Sequence, residues 1–507
     1  MLVYREKNVV SYLRDSYIKY PLKIACSDEN DSITYKELWE ASHTIAGNLL
    51  KITNKNTPIP ILMKKSCVAM KALWGIIKAG ACYVIIDPML PKERIRQILE
   101  NLSVKWVIGE ESSIAKVPEG TKVCSISTLM LRSEGDEIVD KQIGQICDID
   151  PLYIMFTSGS TGIPKGIVAN HRSVMDFIDY FIEIFHIRAN DIIANQAPWD
   201  FDVSIKDIFS SVRVGAELQI IPKKYFSLPV QLVEFLEKKK VTTLIWAVSA
   251  LCIISTRGIL DHIRPSGIQK IIFSGEVMPI RQYNIWRKHY PQAMIANVYG
   301  PTEITCNCTY FFVHGFYDEE GEIPIGEAFP NERVFLLDED EKLIEKEETE
   351  HRIGEICVSG TAVTAGYYNN AKESEKSFVQ NPLNKSYREI IYKTGDMGYY
   401  NKDKQLCFAS RKDYQIKHMG HRIELSEIEK AISSIPGTGL SCCIYQNSEI
   451  YAFIEGKIEE RRIVMALKKK LPVYMVPAKI LNVDTIPLNK NGKIDRKKLK
   501  EWLVEAC

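Results

Sequence analysis

The segment Thr157-Ser158-Gly159-Ser160-Thr161-Gly162-Ile163-Pro164-Lys165-Gly166 follows the apolar run Tyr153–Phe156. Glycines let a backbone turn tightly and aim N–H groups at a phosphate. The hydroxyls add donors without bulk, and Lys165 adds a cation for triphosphate oxygens. The spacing is not that of a Walker A loop, so an ordinary P-loop fold is disfavoured. A Gly/Ser-rich surface turn is the plainer alternative. Asp202 sits between Phe201 and Val203. A carboxylate in so apolar a setting needs a partner charge or several donors, unless it caps a helix over Val203–Ser211. Glu303, just past the Gly300-Pro301 turn, is a hard oxygen ligand suited to Mg2+.

Five ordered stretches carry a resemblance. They are Tyr153–Gly166, Asn297-Val298-Tyr299-Gly300-Pro301-Thr302-Glu303, Tyr392-Lys393-Thr394-Gly395-Asp396, Arg411-Lys412-Asp413-Tyr414-Gln415-Ile416-Lys417 and Asn491-Gly492-Lys493-Ile494-Asp495-Arg496. Together the chain resembles the adenylate-forming superfamily, which holds acyl-CoA synthetases, luciferases and the adenylation domains of peptide synthetases. The resemblance runs from about residue 30 to 500. The stretches Asn195–Ser204, Ser274–Pro279 and Tyr414–Leu425 are similar to stand-alone amino-acid adenylation enzymes and D-alanine–D-alanyl carrier protein ligases.

That resemblance implies ATP-dependent activation of an amino acid as its adenylate, with Mg2+, and then transfer to the phosphopantetheine thiol of a separate carrier protein. Nucleotide binding is expected from Thr157, Ser158, Gly159, Ser160, Thr161, Gly162, Lys165, Gly275, Glu276, Asn297, Tyr299, Gly300, Asp396 and Arg411. Tyr299 offers a flat face for adenine and Asn297 a carbonyl for its exocyclic amine. Asp396 and Arg411 are implied at the ribose; a turn aspartate after Gly395 is the alternative. Thr302 and Glu303 are expected beside the phosphates, with Glu303 as metal ligand.

The implied amino-acid pocket comprises Phe201, Asp202, Val203, Lys206, Ser249, Ile272, Ser274, Val298, Cys306 and Asn307. Asp202 would pair with the α-ammonium. Lys206 pointing inward favours an acidic or hydrogen-bonding substrate side chain. Lys206 turned outward leaves a small pocket for serine, alanine or similar. Lys493 resembles the mobile cation that bridges carboxylate and phosphate, where a fixed charge stabilises the developing anion. Asp413 matches the hinge of the small domain, Lys417 lies in the same motif, and Gly420 matches the glycine lining the thiol tunnel. The usual glycine before the hinge arginine is Ser410 here.

The elements that must hold these residues read as alternating apolar runs and amphipathic helices. Runs at Leu152–Phe156, Thr243–Trp246 and Lys270–Phe273 alternate with helices at Pro229–Lys238 and Met278–His289, the pattern of α/β layers with buried strands. The stretch Cys67–Ile86 reads as a helix followed by a buried strand, not a membrane span, because Lys71 and Lys78 interrupt it. Past a boundary near Ser410–Asp413 the pattern is α+β. It has an acidic helix at Leu425–Ile435, paired strands at Gly439–Tyr445 and Ile450–Glu455, a helix at Glu459–Lys470 and a basic loop at Pro487–Lys498. The expected fold is therefore α/β. A large N-terminal domain of layered sheets with a distorted β-barrel portion spans 1–410, and a small mobile α+β domain spans 411–507.

The 507 residues carry 65 Lys+Arg against 64 Asp+Glu. So even a balance speaks against nucleic-acid binding. The 13 cysteines form no zinc spacing and read as reduced thiols. The first residues lack a signal-peptide core, so a cytoplasmic protein without membrane insertion is expected; Lys, Ile and Asn usage points to a bacterial genome. No carrier attachment site follows Lys493, which implies a separate acceptor. An acyl- or aryl-acid CoA ligase and a non-catalytic binding protein are the competing readings.

Overall fold

The computed structural model describes residues 8–131, 136–159, 163–347, 352–488 and 494–505. Its centre is a pair of mostly parallel sheets. One has six strands, in the order Lys122–Ser125, Trp106–Gly109, Pro58–Leu62, Cys82–Ile86, Pro151–Thr157 and Lys165–Asn170, with only the last pair antiparallel. The other has nine strands. Its parallel middle runs Met294–Tyr299, Lys270–Ser274, Thr243–Ala247, Ile192–Asn195, Glu217–Ile220 and Ile24–Ser27. Thr243–Ala247 and Lys270–Ser274 are buried at every position. Helices cover both faces of such strands, which is why they read as continuous apolar runs without alternation.

The helix Cys67–Lys78 opens on Ser66, whose hydroxyl accepts from the Ala69 N–H at 3.2 Å. It is almost wholly buried between the sheets. Its terminal Lys78 survives burial because the ammonium donates to the Trp39 carbonyl at 2.8 Å and lies 3.4 Å from that ring centroid. The strand Cys82–Ile86 follows, as expected.

A third sheet is antiparallel: Leu343–Ile344, Glu332–Leu337, Gly354–Gly360, Ile390–Tyr400 and Phe378–Gln380, with Leu406–Arg411 paired to Ile390–Tyr400. This is where the distorted barrel is expected; its strands form an open path among the described residues. Beyond Arg411 come the hairpin Gln415–His418/His421–Glu424 and a three-stranded sheet of Ser441–Gln446, Glu449–Glu455 and Lys479–Val483. Against that sheet pack the helices Leu425–Ser433, Glu460–Lys470 and Arg496–Glu505.

Of the boundaries that differ from expectation, three have a clear physical cause. The helix expected from Met278 starts at Ile280, because Pro279 bars Met278 from helical backbone. The helix expected to reach Ile435 stops at Ser433, three residues ahead of Pro436, which bars Ile435 from helical backbone. The basic loop expected to Lys498 gives way at Arg496 to a helix, since Leu499 and Leu503 form an i, i+4 face buried against Cys442 and Phe453. Among the described residues no helix is long and apolar enough to cross a membrane, and every cysteine is free.

Candidate active site

Both parallel sheets present their carboxyl ends to one place, where open α/β sheets bind ligands. The six-stranded sheet delivers Thr157 at the end of Pro151–Thr157. The nine-stranded sheet delivers Ser274 and Tyr299 as last residues of their strands. The loops that follow supply Phe201, Asp202, Gly300, Thr302, Cys306 and Asn307. The hairpin beyond Arg411 closes over them.

A small cavity results. It is lined by Thr157, Ser158, Phe201, Asp202, Val203, Ser274, Gly275, Gly300, Thr302, Cys306, Asn307, Asp396, Arg411, Lys417 and Gly420. An open groove adjoins it, lined by Ser249, Glu276, Asn297, Val298, Tyr299 and Asp413, and shares Gly275, Asp396, Arg411 and Lys417 with the cavity. Gly300 is fixed by close approach: a Cβ there would stand 2.5 Å from the Asn307 Cα, so the loop carrying Cys306 and Asn307 can fold back against it.

Asp202 is buried and does not cap a helix; the helix Ser204–Val214 starts after Val203 with no side-chain cap. Burial pushes its carboxyl above the usual range, opposed by a hydrogen bond from Thr302 and the positive charge of Lys206. Lys206 points inward. It has no exposed surface, and donates to Ser274 Oγ at 3.1 Å and Asn307 Oδ1 at 2.9 Å. Lys206 therefore stands behind the cavity wall, not in it. Ile272 also lies off the cavity. It is fully buried in the strand Lys270–Ser274, within the apolar cluster that holds Val298 and Cys306.

Asp396 is not a turn residue. It sits buried in the strand Ile390–Tyr400, accepts from the Tyr299 hydroxyl at 2.5 Å and pairs with Arg411. Arg411 also holds Asp413 through Nε–Oδ1 at 2.7 Å and Nη2–Oδ2 at 2.8 Å. The Asn297 amide nitrogen donates to the Pro324 carbonyl at 2.8 Å, leaving its side-chain carbonyl as the acceptor. Lys417 Nζ lies 5.6 Å from the Tyr299 ring centroid, and burial lowers its pKa.

The groups expected to meet phosphate and metal are held by the segment beyond Arg411. Glu303 is buried; its Oε2 pairs with Arg422 Nη1 at 2.7 Å and its Oε1 accepts from the Tyr367 hydroxyl at 2.8 Å. Burial alone would raise its pKa, but the Arg422 guanidinium holds it below the usual range. The Ser158 hydroxyl donates to the Arg422 carbonyl at 2.8 Å and accepts from the Glu424 N–H at 3.2 Å. The Glu427 carboxylate accepts from the Gly159 N–H and pairs with Arg94 at 2.6 Å, both side chains buried. Lys165 does not reach the cavity: its ammonium lies 3.9 Å from Glu373 and 5.5 Å from the Tyr367 ring centroid. Ser160, Thr161, Gly162 and Lys493 lie outside the described residues. Glu276 joins groove and hairpin, accepting from the Ser249 N–H at 2.9 Å and the Gly420 N–H at 3.0 Å.

Arg422, Tyr367, Arg94, His421 and Tyr474 were given no role from the sequence. Arg422 and His421 lie inside a motif already singled out. The other three have no local signal, because long-range packing alone brings them in. The His421 ring stacks on Tyr474 at 3.6 Å and meets the Phe201 edge at 4.4 Å. Burial pushes its pKa down to about 3, so it stays neutral.

A family model described as AMP-binding enzyme matches residues 13–368. Zwittermicin A synthase ZmaJ of Bacillus cereus is 30% identical over 501 residues, covering 96% of this chain and 93% of that protein. A D-alanine–D-alanyl carrier protein ligase of Bacillus velezensis is 31% identical over 497 residues, covering 93% and 95%. The fold is shared with a Vibrio cholerae adenylation domain, AlmE, solved in complex with glycyl-adenosine-5'-phosphate. Its TM-score is 0.85 at 20% identity, with 100% of this chain and 99% of that one covered.

Proposed function

The chain belongs to the AMP-binding enzyme family, and on that premise we propose that it activates an amino acid with ATP and passes it to the thiol of a carrier protein. The observation that carries the amino-acid reading is Asp202. It is a buried carboxylate on the cavity wall whose charged form burial disfavours. The α-ammonium of a zwitterionic substrate supplies the missing counter-charge. A CoA ligase for fatty or aryl acids has no use for an anion there.

In the first half-reaction the amino-acid carboxylate attacks the α-phosphorus of ATP and pyrophosphate leaves. Asp202 holds the ammonium, which fixes the carboxylate opposite the nucleotide. Tyr299 and the Asn297 carbonyl take the adenine, and Asp396 with Arg411 takes the ribose. Ser158 and the Gly159 N–H meet the triphosphate once the segment beyond Arg411 has moved off them. Lys493 supplies the cation that offsets repulsion between the two anions. Glu303, with Arg422 withdrawn from Oε2, would hold Mg2+ through a hard carboxylate oxygen; bound there, the ion would neutralise triphosphate charge.

In the second half-reaction the carrier thiolate attacks the adenylate carbonyl and AMP leaves. The docked arrangement suits this step. Arg422, Glu424 and Glu427 occupy Glu303, Ser158 and Gly159, positions that pyrophosphate has vacated, while Gly420 borders the cavity for the incoming thiol. We divide the chain functionally into 1–410, which holds both substrates, and 411–507, which changes position between steps about Asp413. The need for ATP and for a reduced acceptor thiol puts the reaction in the cytoplasm. Amino-acid-dependent ATP–pyrophosphate exchange, followed by aminoacyl thioester formation on pantetheine, tests this reading. Exchange with fatty or aryl acids alone overturns it.

A further inference from the structure

The wall of the cavity opposite the nucleotide groove has a polarity set from behind. Lys206 lies on the helix Ser204–Val214 with no exposed surface. Two of its ammonium protons go to Ser274 Oγ at 3.1 Å and Asn307 Oδ1 at 2.9 Å, and Cys306 Sγ donates to the same Asn307 Oδ1 at 3.4 Å. Ser274, Cys306 and Asn307 all line the cavity; Lys206 does not. The ammonium and the Cys306 thiol thus take both lone pairs of Asn307 Oδ1, and the ammonium takes one of the two on Ser274 Oγ. What Asn307 keeps for a ligand is its Nδ2 hydrogens, and Ser274 keeps its hydroxyl hydrogen and one lone pair. Among the described residues neither the hydroxyl hydrogen nor the Nδ2 hydrogens have a partner.

The wall therefore donates hydrogen bonds, backed by a buried positive charge. A substrate side chain that cannot accept leaves those donors desolvated and unmade, at the full cost of a lost hydrogen bond. A cationic side chain meets the Lys206 charge head on. An oxygen acceptor satisfies both donors and gains from the field of the ammonium. The reach is short, because the cavity is only about 90 Å³.

We infer that the substrate is an amino acid whose side chain ends, one or two methylenes from Cα, in a carboxylate or carboxamide oxygen seated on Ser274 and Asn307, with Lys206 as the positioning residue behind them. This rests on the reading that Asp202 takes the α-ammonium, and sharpens it. The carboxylate and the carboxamide share the acceptor chemistry. Asp207, the other anion near Lys206, bears on the choice between them: burial pushes its pKa up to about 7, so near neutrality it offsets the ammonium only in part.

The test is ATP–pyrophosphate exchange by the full chain with aspartate, asparagine, glutamate and glutamine against alanine, serine, leucine and lysine. One of the first four should exceed every one of the last four by at least tenfold in kcat/KM, the scale of a charge-assisted hydrogen bond. Which of the four leads separates carboxylate from carboxamide. Lys206→Met should reduce that preference at least tenfold; a thermal melt confirms that the variant is folded. If it does not fold, Asn307→Ala gives the same readout from the wall itself. A wild-type preference for alanine, serine, leucine or lysine overturns the inference but leaves amino-acid activation standing. No exchange with any amino acid would instead remove the reading beneath it.

Discussion

Replacing Gly420 with leucine separates the two half-reactions. Gly420 has φ +79° and a Cβ there would lie 3.2 Å from the Ala247 Cβ. A leucine holding left-handed backbone costs roughly 1–2 kcal/mol. Crowding against Ala247 adds roughly 1–3 kcal/mol, the usual range for overpacking. The docked arrangement, in which the Gly420 N–H also donates to Glu276, is then disfavoured by about 2–5 kcal/mol. At about 1.36 kcal/mol per decade that is a loss of about 30-fold to about 5,000-fold in thioester formation. In the proposed cycle the first half-reaction does not pass through this arrangement, so exchange should stay within about twofold of wild type. The assay pairs ATP–pyrophosphate exchange with mass-spectrometric detection of aminoacyl-pantetheine. Equal loss of both activities, or no loss of transfer, refutes the reasoning.

Two further outcomes follow from the same geometry. Arg94 and Glu427 form a buried pair at 2.6 Å between the helices Lys92–Leu102 and Leu425–Ser433. Arg94→Ala strands the Glu427 carboxylate and should weaken docking by roughly 3–5 kcal/mol, seen as faster proteolysis between Arg411 and Gln415; an unchanged cleavage rate contradicts the contact's role. The acid limb of kcat/KM for the amino acid should sit above the ordinary aspartate value of about 3.9, because the Asp202 pKa is raised by burial and the ammonium needs the ionised form. With a folded pKa above its unfolded value, Asp202 favours the fold as pH falls. Circular dichroism should therefore show intact protein where activity is lost, and a flat profile through this range argues against Asp202.

The layered α/β architecture was legible because its strands are short apolar runs with helices between them. Thr243–Ala247 and Lys270–Ser274 lie within a residue of expectation. The misplaced ends have local causes at Pro279 and Pro436, and a tertiary one at Leu499 and Leu503. The residues proposed for the nucleotide stand out in the sequence because contiguous motifs carry them, and Asp202 because a carboxylate between Phe201 and Val203 asks for a partner. The direction of Lys206 could not be read, since its partners Ser274 and Asn307 stand 68 and 101 residues away. Nor could the grip of Arg422 on Glu303, 119 residues apart. Sequence spacing carries no signal for contacts that only the closing of the chain creates.

Amino-acid selection rests, in this proposal, on an ion pair between Asp202 and the substrate ammonium. Its most direct test is Asp202→Asn, a nearly isosteric change that deletes the charge, assayed by exchange with the best wild-type amino acid. Removing one partner of a buried pair costs roughly 3–5 kcal/mol, so kcat/KM for the amino acid should fall by about 100-fold or more while the KM for ATP stays within about threefold. An unchanged kcat/KM, or full wild-type activity with the deaminated analogue of that amino acid, would contradict the account.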